Sequence, residues 1–574
     1  MSQLKQSVSS FLIESLYDYG VRHIFGVPGD FVLGFYQQMI QSNKLKVINT
    51  CDEQGAAFAA DSYARINGLG AVCVTYCVGG LKVVNATAQA FAEKSPLVVI
   101  SGAPGIKERI KNPLLHHKVR DFDTQQKIFE HVTVDSVLID NPTTAAKEID
   151  RVLSSAMRYK RPVYIELPRD KVSTPISIYY QEQYPDSSSS KYSKNIKTGE
   201  GEVQEKRDID SMQEALSESI EMINSSKQPV IIAGVEIHRF GLQDKLLQLV
   251  TKTNIPAVAT VLSKSVISED HPLYLGVYEG AMGHESVREY VESSDCLILI
   301  GALMTDINFG ITPTPIEPSK SIYVTTEKLS VKHHNYENIL LQDFLTILIE
   351  APLAKKDFML LEKQRDIKNN KNKNKRFSAA RNRKITVKRL FERLNFSITG
   401  NVIVIADVGD SLFGALDLTI HGQTDFLSPA YYCSMGFAVP AAIGAQLANP
   451  KLRPIVIVGD GAFQMTGMEI STISRFALNP IIIILNNNGY GTERPMLDGP
   501  FNDVLPWNYY RIPEVIGGHG KGFMIETEEQ LEEAFLAAEN IYSQELCILD
   551  VRLDMHDGSP ALQRLTESLG KKVH

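Results

Sequence analysis

Asp460 and Asn487, 27 positions apart, are the pair in this chain whose types and spacing most directly suggest chemistry. Asp460 stands in Gly459-Asp460-Gly461 after the apolar run 454–458 (PIVIV), and Asn487 follows the apolar run 480–485 (PIIIIL). Short apolar runs rich in β-branched residues predict buried strands, so both polar groups are expected at strand C-termini, where open α/β sheets bind ligands. A carboxylate, an amide oxygen and nearby backbone carbonyls form an all-oxygen set suited to Mg²⁺, a hard ion that tends to keep a phosphate ligand. Gly459 and Gly461 would let the backbone approach a diphosphate closely. A Gly-Asp-Gly alone could equally be a structural turn, and it is the asparagine run at this distance, with a strand before each, that favours the metal-diphosphate reading.

The elements that position these groups follow from pattern. From residue 5 to about 175, helical periods alternate with β-rich runs (HIFGV, KVINT, AVCVTY, PLVVI, VYIEL), and Gly20 and Gly68 cap the helices between them. Such alternation predicts a parallel sheet covered on both faces. A serine-rich polar stretch near 183–210 reads as a linker, and a second α/β unit follows with strands PVIIAG and CLILIG. The basic run 368–376 (KNNKNKNKR) has no interleaved aromatics and reads as a second linker rather than a nucleic-acid patch. The third unit carries VIVIAD, PIVIVG, PIIIIL and CILDV.

Composition narrows the function classes. The chain has 574 residues, enough for about three or four domains. Lys+Arg 59 against Asp+Glu 67 leaves a net charge of -8, which asks for neither nucleic acid nor an anionic membrane. No apolar run approaches the roughly 20 residues of a membrane span. Six scattered cysteines without a C-x-x-C suggest reduced core thiols and a cytoplasmic protein. Gln464 stands where a dinucleotide fingerprint needs glycine, and no Walker A sequence occurs.

Four further motifs accompany the Asp460–Asn487 pair. They are Gly-Val-Pro-Gly-Asp-Phe at 26–31, Glu53 in DEQGAAFAADSYARING, His116-His117 in LLHHKVRDFDTQ, and Glu493 in NNGYGTERPM. Together they resemble the thiamine diphosphate (ThDP)-dependent 2-keto acid decarboxylases, the group of pyruvate, indolepyruvate and phenylpyruvate decarboxylases, over nearly the whole chain. The resemblance implies an α/β protein of three doubly wound parallel-sheet domains. These are a pyrimidine-binding domain at 1–182, a middle domain at 211–354 and a diphosphate- and Mg²⁺-binding domain at 386–574, with linkers at 183–210 and 355–385. It implies cleavage of a 2-keto acid to an aldehyde and CO₂ through a ThDP ylide. Glu53 would bind the pyrimidine, and Met435, on a helix in SMGFAVPAAIGAQLA, would wedge beneath the cofactor. Asp410, Ser411, Gly459, Gly461 and Ala462 would cradle the cofactor, and Asp460, Asn487 and the Gly489 carbonyl would hold Mg²⁺. Asp30, His116, His117 and Glu493 would form a proton relay.

Taken singly, several of these residues have a plainer reading. Glu53 could be a first-turn carboxylate favoured by the helix dipole, Met435 an ordinary core side chain, and a His-His pair incidental, as His333-His334 elsewhere in the chain suggests. Three departures from the family pattern also stand out: Arg494-Pro495 after Glu493, Asn488 at a position often aromatic, and Leu412 where a pocket-filling tryptophan can stand. Leu412, with Val408, Thr492 and Met496, implies room for a longer or aromatic 2-keto acid. Pyruvate, and carboligation of the acetolactate synthase type, are the alternatives. The resemblance further implies a homodimer at minimum, usually a homotetramer, and no nucleic-acid or membrane partner.

Overall fold

The computed structural model describes residues 6–176, 209–309, 316–357, 377–422 and 426–573. It contains three sheets. The first runs, edge to edge, Lys46–Asn49, His23–Gly26, Gly70–Val74, Leu97–Ala103, Val163–Pro168 and Asp135–Leu138, all parallel. Its central strands Gly70–Val74 and Leu97–Ala103 are buried at every position, as expected where helices cover both faces. All five β-rich runs of this region are strands, and Asp135–Leu138, half-buried at the edge, joins them.

The second sheet has five parallel strands, Ser321–Val324, Cys296–Ile300, Pro229–Ala233, Ala257–Ala259 and Tyr274–Val277. A short antiparallel extension, Leu329–Val331 and His334–Tyr336, continues it at one side. His334 of the second histidine doublet lies there and pairs with Glu218 at 3.0 Å. The third sheet runs Phe426–Leu427, Val402–Ala406, Arg453–Gly459, Ile481–Asn486, Cys547–Arg552 and Lys521–Ile525, again all parallel.

The chain divides into two compact units. One comprises residues 1–203 with 439–451 and 466–476; the other holds the rest, including the second and third sheets. In the first unit, helix Glu53–Asn67 is fixed at three places. Its Arg65 is buried against Asp61 and Glu93, each at 2.8 Å. Breaking such a buried network from one side costs ~3–5 kcal/mol. Ser62 donates to the Ala441 carbonyl at 2.8 Å. A Cβ on Gly444 would stand 1.8 Å from the Ala59 carbonyl oxygen, so only glycine permits this approach. In the second unit, one apolar core joins Val235, Val261 and Val277 of the middle region to Leu390, Ile457 and Leu549 of the third.

Of the two expected linkers, residues 183–208 and 358–376 lie outside the described residues, the basic run among them. Helix Ile209–Ser225 begins at the end of the first. Residues 377–385, at the end of the second, are packed: Ile385 is buried and its N–H donates to the Glu526 carbonyl at 3.0 Å. Among the described residues no cysteine forms a disulfide; Cys73, Cys77, Cys296 and Cys547 are buried, Cys51 and Cys433 exposed. Among the described residues no helix is long and apolar enough to cross a membrane.

Candidate active site

Register brings Asp460 and Asn487 together. Strands Arg453–Gly459 and Ile481–Asn486 are parallel neighbours with Gly459 beside Leu485, so Asp460 and the asparagine run leave the sheet side by side at its C-terminal edge. Asp460 begins helix Asp460–Thr466 and is fully buried. Its carboxylate accepts the Gly461 N–H at 2.8 Å and the Gly489 N–H at 3.1 Å. Burial pushes its pKa up to about 6, with only backbone N–H groups lowering it in return. The three asparagines do different work. Asn486 donates to Asp550 at 2.7 Å within the core, Asn487 is half-buried beyond the strand end, and Asn488 takes left-handed backbone, φ 61. Gly461 has a reason the sequence did not offer: a Cβ there would stand 2.4 Å from the Tyr490 ring. At Gly459 a Cβ would meet nothing within 4 Å, which leaves open the close backbone approach expected of it.

The next strand supplies Asp407, which sequence reasoning passed over. It is fully buried and accepts the N–H groups of Val408, Gly436 and Ala438 at 3.0, 3.1 and 2.8 Å. It thereby pins the segment that presents Met435. Its only sequence signal was the last letter of VIVIAD, an acid ending a strand. Met435 itself is half-buried in the turn before helix Ala438–Ala448 rather than on a helix, because Gly436 adopts φ +86 and delays the helix start. Asp410 is engaged by the Ser559 N–H at 2.9 Å, and burial raises its pKa to about 6. Ser411, buried one residue on, has a hydroxyl without a partner among the described residues. Ala462 is buried in the helix after Asp460.

Of the residues expected around a substrate, Val408 and Thr492 are half-buried and near one another: the Thr492 hydroxyl lies 2.9 Å from where a Gly409 Cβ would stand. Met496 is 40% exposed, whereas Leu412 is 2% exposed and belongs to the apolar core. Glu493 is exposed on the turn 491–496, and no helix follows the asparagine run directly. Arg494, one of the noted departures, explains that turn. It is buried, pairs with Asp498 and Asp503 at 2.8 and 2.7 Å, and donates to the Asn488 carbonyl at 3.2 Å.

In the first unit, Glu53 is the first residue of its helix, with Asp52 as the cap accepting from the Gln54 N–H. Its side chain is 14% exposed and pairs with Lys82 at 2.8 Å; Lys82 also contacts Asp52. Buried Glu469 holds this helix start by accepting the Cys51 and Asp52 N–H groups, both at 3.1 Å. Neither Lys82 nor Glu469 was legible, because Lys82 reaches Glu53, and Glu469 the two residues before it, from other segments of the chain. Asp30, His116 and His117, from segments 86 residues apart, do converge. His116 Nε2 lies 2.8 Å from Asp30, His117 Nδ1 lies 3.2 Å from the Tyr76 carbonyl, and Phe31 stacks on the His116 ring. Their ligand-capable atoms all lie within 4.8 Å of one another.

Comparison with known proteins gives the family. Residues 6–126, 216–347 and 407–551 match the N-terminal TPP binding, central and C-terminal TPP binding domains of thiamine pyrophosphate enzymes. The chain is 33% identical over 529 residues to an indole-3-pyruvate decarboxylase of Azospirillum brasilense, covering 91% of each. It is 30% identical to a probable pyruvate decarboxylase of Schizosaccharomyces pombe, over 99% of this chain and 97% of the relative. Pyruvate decarboxylase 4 of Arabidopsis thaliana is 29% identical, over 98% and 90%. The cofactor these domains indicate is ThDP, with Mg²⁺ as its usual metal. The site residues fit such a group: among the described residues the buried Asp460 carboxylate has no cation beside it, the buried Ser411 hydroxyl has no partner, and a Cβ on Gly459 would meet nothing within 4 Å.

Proposed function

Because the chain belongs to the ThDP-dependent 2-keto acid decarboxylases, we propose that it converts a longer-chain or aromatic 2-keto acid, of the indolepyruvate or phenylpyruvate kind, to the aldehyde and CO₂. The observation that carries the reading is the convergence of Asp30, His116 and His117. When bound, ThDP supplies the carbon nucleophile for the keto group and the electron sink for the pair left by CO₂.

This chain's residues then divide the remaining work. Glu53 would hydrogen-bond the cofactor's pyrimidine, and Met435 would support the ring. Asp410, Ser411, Gly459, Gly461 and Ala462 would line the diphosphate, and Asp460, Asn487 and the Gly489 carbonyl would hold Mg²⁺. A carbonyl only accepts, so the contact with Tyr76 places the His117 proton on Nδ1 and leaves Nε2 free to exchange one with substrate. His116, hydrogen-bonded to Asp30, is the second carrier. Glu493 would complete the relay, and Val408, Thr492 and Met496 would set the substrate's bulk, Leu412 being part of the core instead. The larger substrate is supported by the relative named an indole-3-pyruvate decarboxylase. Family resemblance supports assembly as a homodimer or homotetramer, and the buried thiols of Cys73, Cys77, Cys296 and Cys547 support a cytoplasmic location.

The test is aldehyde release from pyruvate, a branched-chain 2-keto acid, phenylpyruvate and indolepyruvate, with ThDP and Mg²⁺. Phenylpyruvate or indolepyruvate should be preferred, and Glu493→Gln should lower the rate by about 10²-fold or more. Preference for pyruvate would replace the substrate assignment. Acyloin in place of aldehyde would replace the decarboxylase reading with carboligation.

A further inference from the structure

We infer that Asp30, His116 and His117 also bind a transition-metal dication of the zinc class, and that this ion shuts the proposed proton relay. Two imidazoles and a carboxylate are the donor set of tetrahedral zinc, unlike the all-oxygen set at Asp460. Their ligand-capable atoms lie within 4.8 Å of one another, with His116 Nε2 and Asp30 Oδ2 already 2.8 Å apart. Donors about 2.0–2.2 Å from one ion stand roughly 3.3–3.5 Å apart in a tetrahedron, so small side-chain rotations close the set.

The surroundings support ligation. Metal-bound histidines usually donate their second nitrogen to a carbonyl or carboxylate, which fixes tautomer and ring direction. His117 has this arrangement with the Tyr76 carbonyl at 3.2 Å, leaving Nε2 for the ion. Phe31 packs on both rings, stacked on His116 at 4.8 Å and edge-on to His117 at 5.9 Å. Asp30 and His116 are exposed, so an ion can enter, and three protein ligands leave a fourth position for water. Arg169 opposes binding from 4.0 Å off Asp30, but its guanidinium is committed to Glu108, with Nε at 2.9 Å.

Binding of Zn²⁺ is independent of the reaction assignment, whereas inhibition by Zn²⁺ rests on the proposed function. The experiment therefore reads both, using the ThDP-loaded protein in excess Mg²⁺ so that the Asp460 site is filled. Zn²⁺ titrated calorimetrically should bind once per chain, at least tenfold more weakly in Asp30→Asn and His117→Ala and unchanged in His334→Ala. In the wild-type protein, Zn²⁺ but not Mg²⁺ should protect the peptide bearing His116 and His117 from diethylpyrocarbonate, a readout that needs no variant to fold. Zn²⁺ should abolish aldehyde release in proportion to site occupancy. Binding unaltered in both variants, or no protection of that peptide, overturns the site. Binding and protection with no aldehyde from any substrate leaves the site standing and overturns the decarboxylase assignment. Aldehyde release that persists at full Zn²⁺ occupancy overturns the inhibitory role.

Discussion

Glu279→Gln should stabilise this protein at pH 8 and leave it unchanged at pH 4.5. Glu279 is buried, and one of its carboxylate oxygens has no hydrogen-bond partner among the described residues. Burial and the nearby Asp417 raise its pKa from 4.5 to about 7, while Arg564 and Lys264 counter this only in part. Other groups packed here are spoken for: Lys264 pairs with Glu269 at 2.6 Å, and Asp417 with His284 at 3.1 Å and Arg564 at 3.2 Å. Below pH 4.5 the residue is protonated in both folded and unfolded chains and contributes nothing. Between 4.5 and 7 the unfolded chain releases a proton that the folded chain keeps, so the folded state is penalised by ~1.4 kcal/mol per pH unit. Above pH 7 the penalty levels off at about 3 kcal/mol. Glutamine has nearly the same shape and cannot ionise. The variant's thermal midpoint should therefore exceed the wild type's by roughly 4 °C at pH 8, with the excess vanishing toward pH 4.5. The assay is the difference in midpoint across that range, because a lost packing contact would shift all pH values equally. A difference that does not change with pH would refute the reasoning.

Asp460→Asn should weaken Mg²⁺-dependent ThDP binding by about 100-fold or more, read by quenching of intrinsic fluorescence, since an amide cannot replace a buried anionic ligand. Gly444→Ala should cost ~1–3 kcal/mol or more by forcing a Cβ into the Ala59 carbonyl, and chemical denaturation should show the lowered midpoint. Lys82→Met removes the cation paired with Glu53 and Asp52. It should tighten ThDP binding severalfold if Lys82 competes with the cofactor for Glu53, and calorimetry on the cofactor-free protein checks the sign.

The strands were legible because they are buried on both faces: PIVIVG and PIIIIL could be read as strands without knowing their neighbours. Short strands such as Ala257–Ala259 and Phe426–Leu427 were not, since two or three residues carry no pattern. In the candidate site, Asp460 and Asn487 were legible because strand ends fix them locally. Asp407, Glu469 and Lys82 were not, because what singles them out is a partner far along the chain: Gly436, Cys51 and Glu53 respectively. Met435 was misplaced for a local reason, the left-handed Gly436, which looks like any glycine inside an otherwise helix-prone run.

The first compact unit draws residues 439–451 and 466–476 from hundreds of positions downstream, and Gly444 and Ser62 meet within it. This bears on how such a chain can vary over descent. A crossover that exchanged only the first two hundred residues with a relative would separate Ser62 and Ala59 from the small residues that match them. The two distant segments are therefore expected to vary as one module, with substitutions at 62 and 444, which meet in space, changing together.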